Sequence, residues 1–183
     1  MSPPSHVSAA CPQLGLHLTV IELPGGHEAP TMAAIADRCT LPLRVASVLE
    51  LVASVQRRLG PDGRICCLDL VGHGEPGVLS VGATPGCPAG HRIDGDPASY
   101  GYLGVLRDRF CAGGQLRLLG CSTAQRVPQS AVGDGPLLLL ALARFLDVAV
   151  GGSLRPVGAR DFEGTFMGAD QLLTMAPDAL AGA

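Results

Sequence analysis

The 183-residue chain has the length of a single domain with a sizeable core, and with 47% apolar residues but no Trp, two Tyr and four Phe that core must be aliphatic. A net charge of −3 with no lysine-rich or arginine-rich block excludes a nucleic-acid footprint. The most apolar run, Pro136 to Ala143, is far too short to span a bilayer, and Arg144 and Asp147 follow it at once.

Residues 1–15 read as a loose tail, and Met1-Ser-Pro-Pro-Ser-His6 lacks the charged-then-apolar plan of a signal peptide, so a cytoplasmic location is expected. Leu16 to Leu23 alternates and is β-rich, which predicts a first strand, broken by Pro24-Gly-Gly26. Ala29 to Cys39 is short and ambiguous, compatible with a helical turn or two. Val45, Val48, Leu49, Val52, Val55 and Leu59 fall at helical spacing, with Arg57 and Arg58 in the last turn and Gly60 after it. That pattern predicts an amphipathic helix from about Pro42 to Leu59.

Arg64 to Val71 is apolar almost throughout, as in a strand covered on both faces. Val78 to Val81 reads as a small hairpin or β-return after His73. Gly82 to Ser99 is a long loop, of the kind that is usually functional or mobile. Tyr100 to Phe110 has a helical pattern with Tyr102, Leu103, Leu106 and Phe110 on one side, ended by Gly113-Gly114. Gln115 to Cys121 is a third strand and 125–135 a second polar loop. Pro136 to Leu146 is a buried helix with Pro at its start. Val148 to Gly151 is a short fourth strand, and the remainder is loop with room for an edge strand or hairpin. A single domain is thus expected over 16–175, with a frayed small-residue tail at 176–183. The alternation of strand and helix predicts an α/β domain, a three-layer α/β/α sandwich around a mostly parallel sheet, with its chemistry beyond the carboxyl ends of the strands.

Two reactive side chains stand at such ends. His73 follows Leu68-Asp-Leu-Val-Gly and is flanked by Gly72 and Gly74; Cys121 follows Leu116-Arg-Leu-Leu-Gly and precedes Ser122, Thr123 and Ala124. Each alone has a duller explanation, a turn histidine or a strand-end thiol. The pair, each bracketed by small residues after an apolar strand, is hard to place except on one rim, and a thiol beside an imidazole suits nucleophilic acyl transfer. Seven cysteines without an export signal are expected as reduced thiols. Cys66 and Cys67, adjacent on a strand, point to opposite faces and do not suit one ion. Cys87-Pro-Ala-Gly-His91 has ligand-like spacing but no Cys-x-x-Cys partner, so a zinc site is not expected, and Gly-rich phosphate loops of either familiar spacing are absent.

Leu-Val-Gly-His73-Gly with its following Pro-Gly turn, and Leu-Leu-Gly-Cys121-Ser-Thr-Ala, resemble the caspase-like cysteine peptidases, a clan that includes caspases, gingipains, separases and bacterial CHAT-domain proteases. The Gly-Cys121-Ser-Thr-Ala run looks most like separase and CHAT sequences, and His73-Gly-Glu-Pro-Gly-Val-Leu-Ser-Val-Gly82 is similar to a caspase-like domain of large bacterial surface proteins. The resemblance covers about Arg64 to Gly152. It implies that Cys121 is the nucleophile, that His73 protonates the leaving amine, and that the Gly74 and Cys121 N–H groups hold the oxyanion. It also implies a pocket for the residue before the cut, and among acidic candidates for its wall, Asp69, Asp161 and Glu163, Asp161 is preferred. The implied partner is a protein or peptide substrate, with the long loops ordered either by an activating or regulatory protein or by a cut, and with no nucleic acid or membrane. The rival from another class is a non-catalytic caspase-like interaction module.

Overall fold

The structure, a computed structural model, describes residues 15–22, 29–82, 91–127, 133–162 and 171–179. The first strand, β1 (Leu16–Glu22), leads to helix α1 (Ala29–Ala36). A short strand β2 (Leu43–Val45) and helix α2 (Val48–Leu59) follow, then β3 (Ile65–Val71). Strands β4 (Gly74–Glu75), β5 (Val78–Ser80) and β6 (Arg92–Ile93) form a small antiparallel sheet of their own. Helix α3 (Pro97–Tyr100) runs into a 3-10 segment (Gly101–Arg109), and β7 (Phe110–Leu119) comes next. Helix α4 (Gly135–Leu146), β8 (Ala149–Ser153), a 3-10 turn (Ala159–Asp161) and β9 (Leu172–Met175) complete the described chain.

The main sheet has the order β2-β1-β3-β7-β8-β9, parallel throughout except for the antiparallel edge strand β9. The chain winds outward from β1 to β2 and then crosses to the other side through β3, β7 and β8. The strand order therefore reverses between β1 and β3, and a crevice opens there beyond their carboxyl ends.

Two apolar clusters show which helix covers which face. Val20, Leu70 and Leu118 pack with α2, the 3-10 segment and α4. Their chain neighbours Ile21, Val71 and Leu119 pack instead with Met32, Ile35 and Ala36 of α1 and with Phe162. Because side chains alternate across a strand, these clusters lie on opposite faces, and the sheet is covered by helix on both. No helix among the described residues is long and apolar enough to cross a membrane.

Several expectations change in detail. The helix predicted from Pro42 begins only at Val48. Ser47 caps it, its Oγ accepting from the Glu50 N–H at 3.1 Å while the Glu50 carboxylate accepts from the Ala46 N–H at 2.8 Å. That cap fixes an extended entry, and Leu43–Val45 pairs with β1 instead of continuing the helix backwards. The segment after Tyr100 is 3-10, not α: Tyr100, Leu103 and Leu106 are buried at a period of three, while Tyr102 stays exposed. Gly113-Gly114 does not stand outside a strand but in a bulge of β7, where the ladder with β3 steps from Ile65↔Phe110 to Cys67↔Gln115.

The loop expected over 82–99 carries β6 and an Asp96-capped α3 in its described part, with residues 83–90, and so Cys87, outside it. In the described part of the tail expected to fray from Ala176, which runs to Ala179, the carbonyls of Pro177 and Ala179 accept from the Arg144 guanidinium of α4. Residues 1–14, 128–132 and 180–183 lie outside the described residues.

Candidate active site

Parallel pairing sets the level at which the two reactive residues leave the sheet. Leu70 and Val71 of β3 are in register with Leu118 and Leu119 of β7. His73 lies two residues past Val71 and Cys121 two residues past Leu119, so both emerge from adjacent strands at the same rim. They line one small cleft of about 50 Å³, together with Thr31, Met32 and Ile35 of α1, and Val157.

The His73 turn is fixed from two sides. Its N–H donates to the Glu22 carboxylate at 2.8 Å, across the crevice from the end of β1, and its carbonyl accepts from the Ser80 N–H at 2.7 Å. Glu22 is only 1% exposed, a buried carboxylate held by a backbone donor. The His73 imidazole Nε2 is buried and has no hydrogen-bond partner among the described residues. An unsatisfied buried nitrogen costs about 1–3 kcal/mol, which is tolerated where a group awaits a reacting partner.

The Cys121 turn is held more tightly still. Ser122 adopts a left-handed backbone, φ 56°, unusual for a residue with a side chain. It is kept there by hydrogen bonds from the Ser122 N–H to the Arg155 carbonyl (3.0 Å) and from the Ala124 N–H to the Ser153 carbonyl (2.9 Å). Beneath it, Thr123 Oγ1 donates to the Leu118 carbonyl at 2.9 Å and accepts from the Ser153 N–H at 3.1 Å, while Ser153 Oγ donates to the Gly120 carbonyl. The buried hydroxyls thus pin the end of β7 to β8. The Cys121 Sγ accepts from the Val157 N–H at 3.4 Å and donates to the Val157 carbonyl at 3.8 Å.

The two turns touch at Gly74. A Cβ built there lies 2.5 Å from both the Cys121 nitrogen and the Gly120 carbonyl carbon, so only glycine permits the approach. Gly74→Ala is expected to force the turns apart. It should lower stability by about 1–3 kcal/mol, read by urea denaturation, and abolish any chemistry that needs both residues. An unchanged midpoint would show that the contact is looser than this.

A shallow depression of about 620 Å³ adjoins the cleft, sharing Thr31 and lined also by Arg155, Gly158 and Asp161. The Asp161 carboxylate accepts from Arg155 and, at 2.7 Å, from the Gly158 N–H. The Arg155 hydrogen bond, against a smaller opposing effect of burial, holds the Asp161 carboxyl below the usual carboxylate range. Asp161 therefore lies beside the cleft, with its charge met by Arg155. Glu163 is outside the described residues.

Asp69 has to be corrected as a substrate-binding candidate. It is 1% exposed, and Arg117, itself buried, grips both its oxygens, with Arg117 Nε to Oδ1 at 2.6 Å. His17 Nε2 lies 2.7 Å from Oδ2, and the Cys67 thiol donates to Oδ1 at 3.3 Å. Burial opposes the charge on Asp69, but the hydrogen bonds from His17 and Arg117 outweigh it and leave the carboxyl below its usual range. Burial first, and then the Asp69 charge, pushes the Cys67 thiol up to about 12. His17, Cys67 and Asp69 group their ligand atoms within 4.8 Å, but the guanidinium already supplies the positive charge that a cation would bring. This row ties β1, β3 and β7 together on the α1 face of the sheet, with Asp69 and Arg117 buried and His17 partly exposed.

Sequence reasoning missed Glu22, Ser153 and Val157. A lone carboxylate ending an apolar strand was the available signal for Glu22. No comparable signal marks Ser153 or Val157, which act from separate segments. No family model and no curated protein matches the chain. The functional reading therefore rests on His73, Cys121 and their surroundings.

Proposed function

We propose that the protein is a cysteine endopeptidase of caspase-like type, acting through Cys121 and His73. The observation that carries the reading is the shared cleft at the carboxyl rim of β3 and β7, with the buried Nε2 of His73 left without a hydrogen-bond partner among the described residues. In the reaction the Cys121 sulfur, as thiolate, attacks the scissile carbonyl, and the carbonyl π electrons move onto oxygen. The Gly74 and Cys121 N–H groups, brought together by the contact at Gly74, are the donors assigned to that oxyanion. Collapse breaks the C–N bond, and protonated His73 delivers its proton to the leaving amine. Water, deprotonated by His73, then attacks the thioester and releases Cys121. No step is assigned to a metal or a cofactor.

The Val157 backbone holds the sulfur on both its donor and acceptor sides. A substrate carbonyl must displace those contacts, which fits a protease kept at rest until a protein partner or the substrate itself moves that segment. Asp161 is the acidic group assigned to a basic residue before the cut, with Arg155 releasing it when substrate enters the depression.

A second reading, a non-catalytic caspase-like interaction module, draws on the small size of the cleft and on the same Val157 contacts. Iodoacetamide separates the two. A working dyad is expected to give labelling of Cys121 in preference to the other six thiols, at a rate that falls about tenfold or more in His73→Ala. Slow labelling of all thiols alike, unaffected by His73→Ala, would favour the module.

A further inference from the structure

Cys66 and Cys111 lie at the opposite end of the sheet from the cleft, and nothing in the proposed reaction uses them. Ile65 opens β3 and Phe110 opens β7, and the two residues pair. The next residue on each strand is a cysteine, and the two sulfurs stand 3.6 Å apart. Gly15 closes over the pair: a Cβ there would lie 2.3 Å from Cys66 Sγ and 2.5 Å from Cys111 Sγ, so the missing side chain is what leaves room for two sulfurs. The two cysteines lie within the irregularity of the β3–β7 ladder, between Ile65↔Phe110 and Cys67↔Gln115. Backbone released from regular pairing there can close the remaining gap to a bonded separation of about 2.05 Å.

We infer that Cys66 and Cys111 form an oxidisable dithiol that a peroxide converts to a cross-strand disulfide. Cys66 is half-buried and Cys111 buried, so Cys66 meets the oxidant first. Its thiolate attacks one oxygen of hydrogen peroxide, the O–O bond breaks, and hydroxide leaves to be protonated to water, giving a sulfenic acid. The Cys111 sulfur, losing its proton, then attacks the Cys66 sulfur; the S–S bond forms, the S–O bond breaks, and a second water leaves. Two thiols and one peroxide become one disulfide and two waters. Neighbouring Cys67 does not compete, because it donates to Asp69 and has a thiol that burial keeps protonated. The bond joins the amino ends of the two strands that carry His73 and Cys121 at their carboxyl ends, and it closes a long loop of the unfolded chain. The inference is independent of the proposed activity, and its test reads no cleavage.

The full chain is treated with stoichiometric hydrogen peroxide, alkylated, digested after arginine and analysed by mass spectrometry. The expected product joins the peptide that starts at Ile65, alkylated at Cys67 and Cys87, to the peptide that starts at Phe110, lighter by two hydrogen atoms than the same two peptides with thiols at Cys66 and Cys111. Dithiothreitol should reverse it. Cys67→Ser should keep the cross-link, and Cys66→Ser or Cys111→Ser should lose it. Oxidised wild type should also show a Tm higher by on the order of 5–10 °C, with no such rise in Cys111→Ser. A sulfinic acid on Cys66 without a cross-link, a disulfide between two molecules, or a main product through Cys67 or Cys121 would overturn the inference. If a variant fails to fold, fragment ions of the wild-type product that place the link on Cys66 or on Cys67 decide it.

Discussion

Cys121→Ala is expected to lower kcat/KM against a peptide library by at least about three orders of magnitude, because it removes the nucleophile of a covalent mechanism. The fold should hardly notice. The sulfur's contacts to Val157 are long, and the turn is held by Ser122, Thr123, Ala124 and Ser153. Stability should change by no more than about 1 kcal/mol. His73→Ala should lose most of the same activity, and the double variant should be little worse than either single one, since the two residues act as a unit. Cleavage by Cys121→Ala at more than a tenth of the wild-type rate would remove Cys121 from the mechanism, and the endopeptidase reading with it.

The largest effect on stability is expected at Asp69. Asp69→Asn removes the Asp69 charge from beside the Arg117 guanidinium, which is buried at 5% exposure. Breaking a buried pair from one side costs about 3–5 kcal/mol, whereas replacing both partners by apolar residues of similar volume is often close to neutral. Asp69→Leu combined with Arg117→Met should therefore recover much of the loss, and urea midpoints of the three variants measure it. If Asp69→Asn costs under about 1 kcal/mol, the row is not a closed ion pair.

The same residue sets a pH limit. Its carboxyl lies below the usual range in the folded state, so its stabilisation is complete above the unfolded value of about 3.9 and fades as pH falls through the folded value. Stability attributable to Asp69 should be flat from neutral pH down to about pH 5 and decline below about pH 4. In Asp69→Asn that acid-side decline should be smaller.

Much of this molecule is legible along the chain. Apolar runs mark β1, β3, β7 and β8, and helical spacing marks α2 and α4, because both signals are periodic and local. The errors fall where a neighbour decides. Leu43–Val45 is a strand because β1 offers an open edge and Ser47 caps the helix behind it. The segment after Tyr100 is 3-10 because it buries a row at every third residue against α4, where the Tyr100 and Phe145 rings meet edge to face with centroids 5.3 Å apart.

At the site, the sequence by itself determined two glycine-bracketed reactive residues at strand ends, since strand, turn and small flanks are written within ten residues of each. That they share one rim was decided by parallel register between β3 and β7, a pairing across 48 residues that no local pattern contains. Only tertiary structure turned Asp69 inward to Arg117, because side-chain alternation fixes the face but not what waits on it. Tertiary structure likewise brought Glu22 to the His73 amide, Val157 to the Cys121 sulfur and Cys66 to Cys111. Each of these is a contact between separate segments, and its chemistry depends on distances that exist only once the sheet has formed.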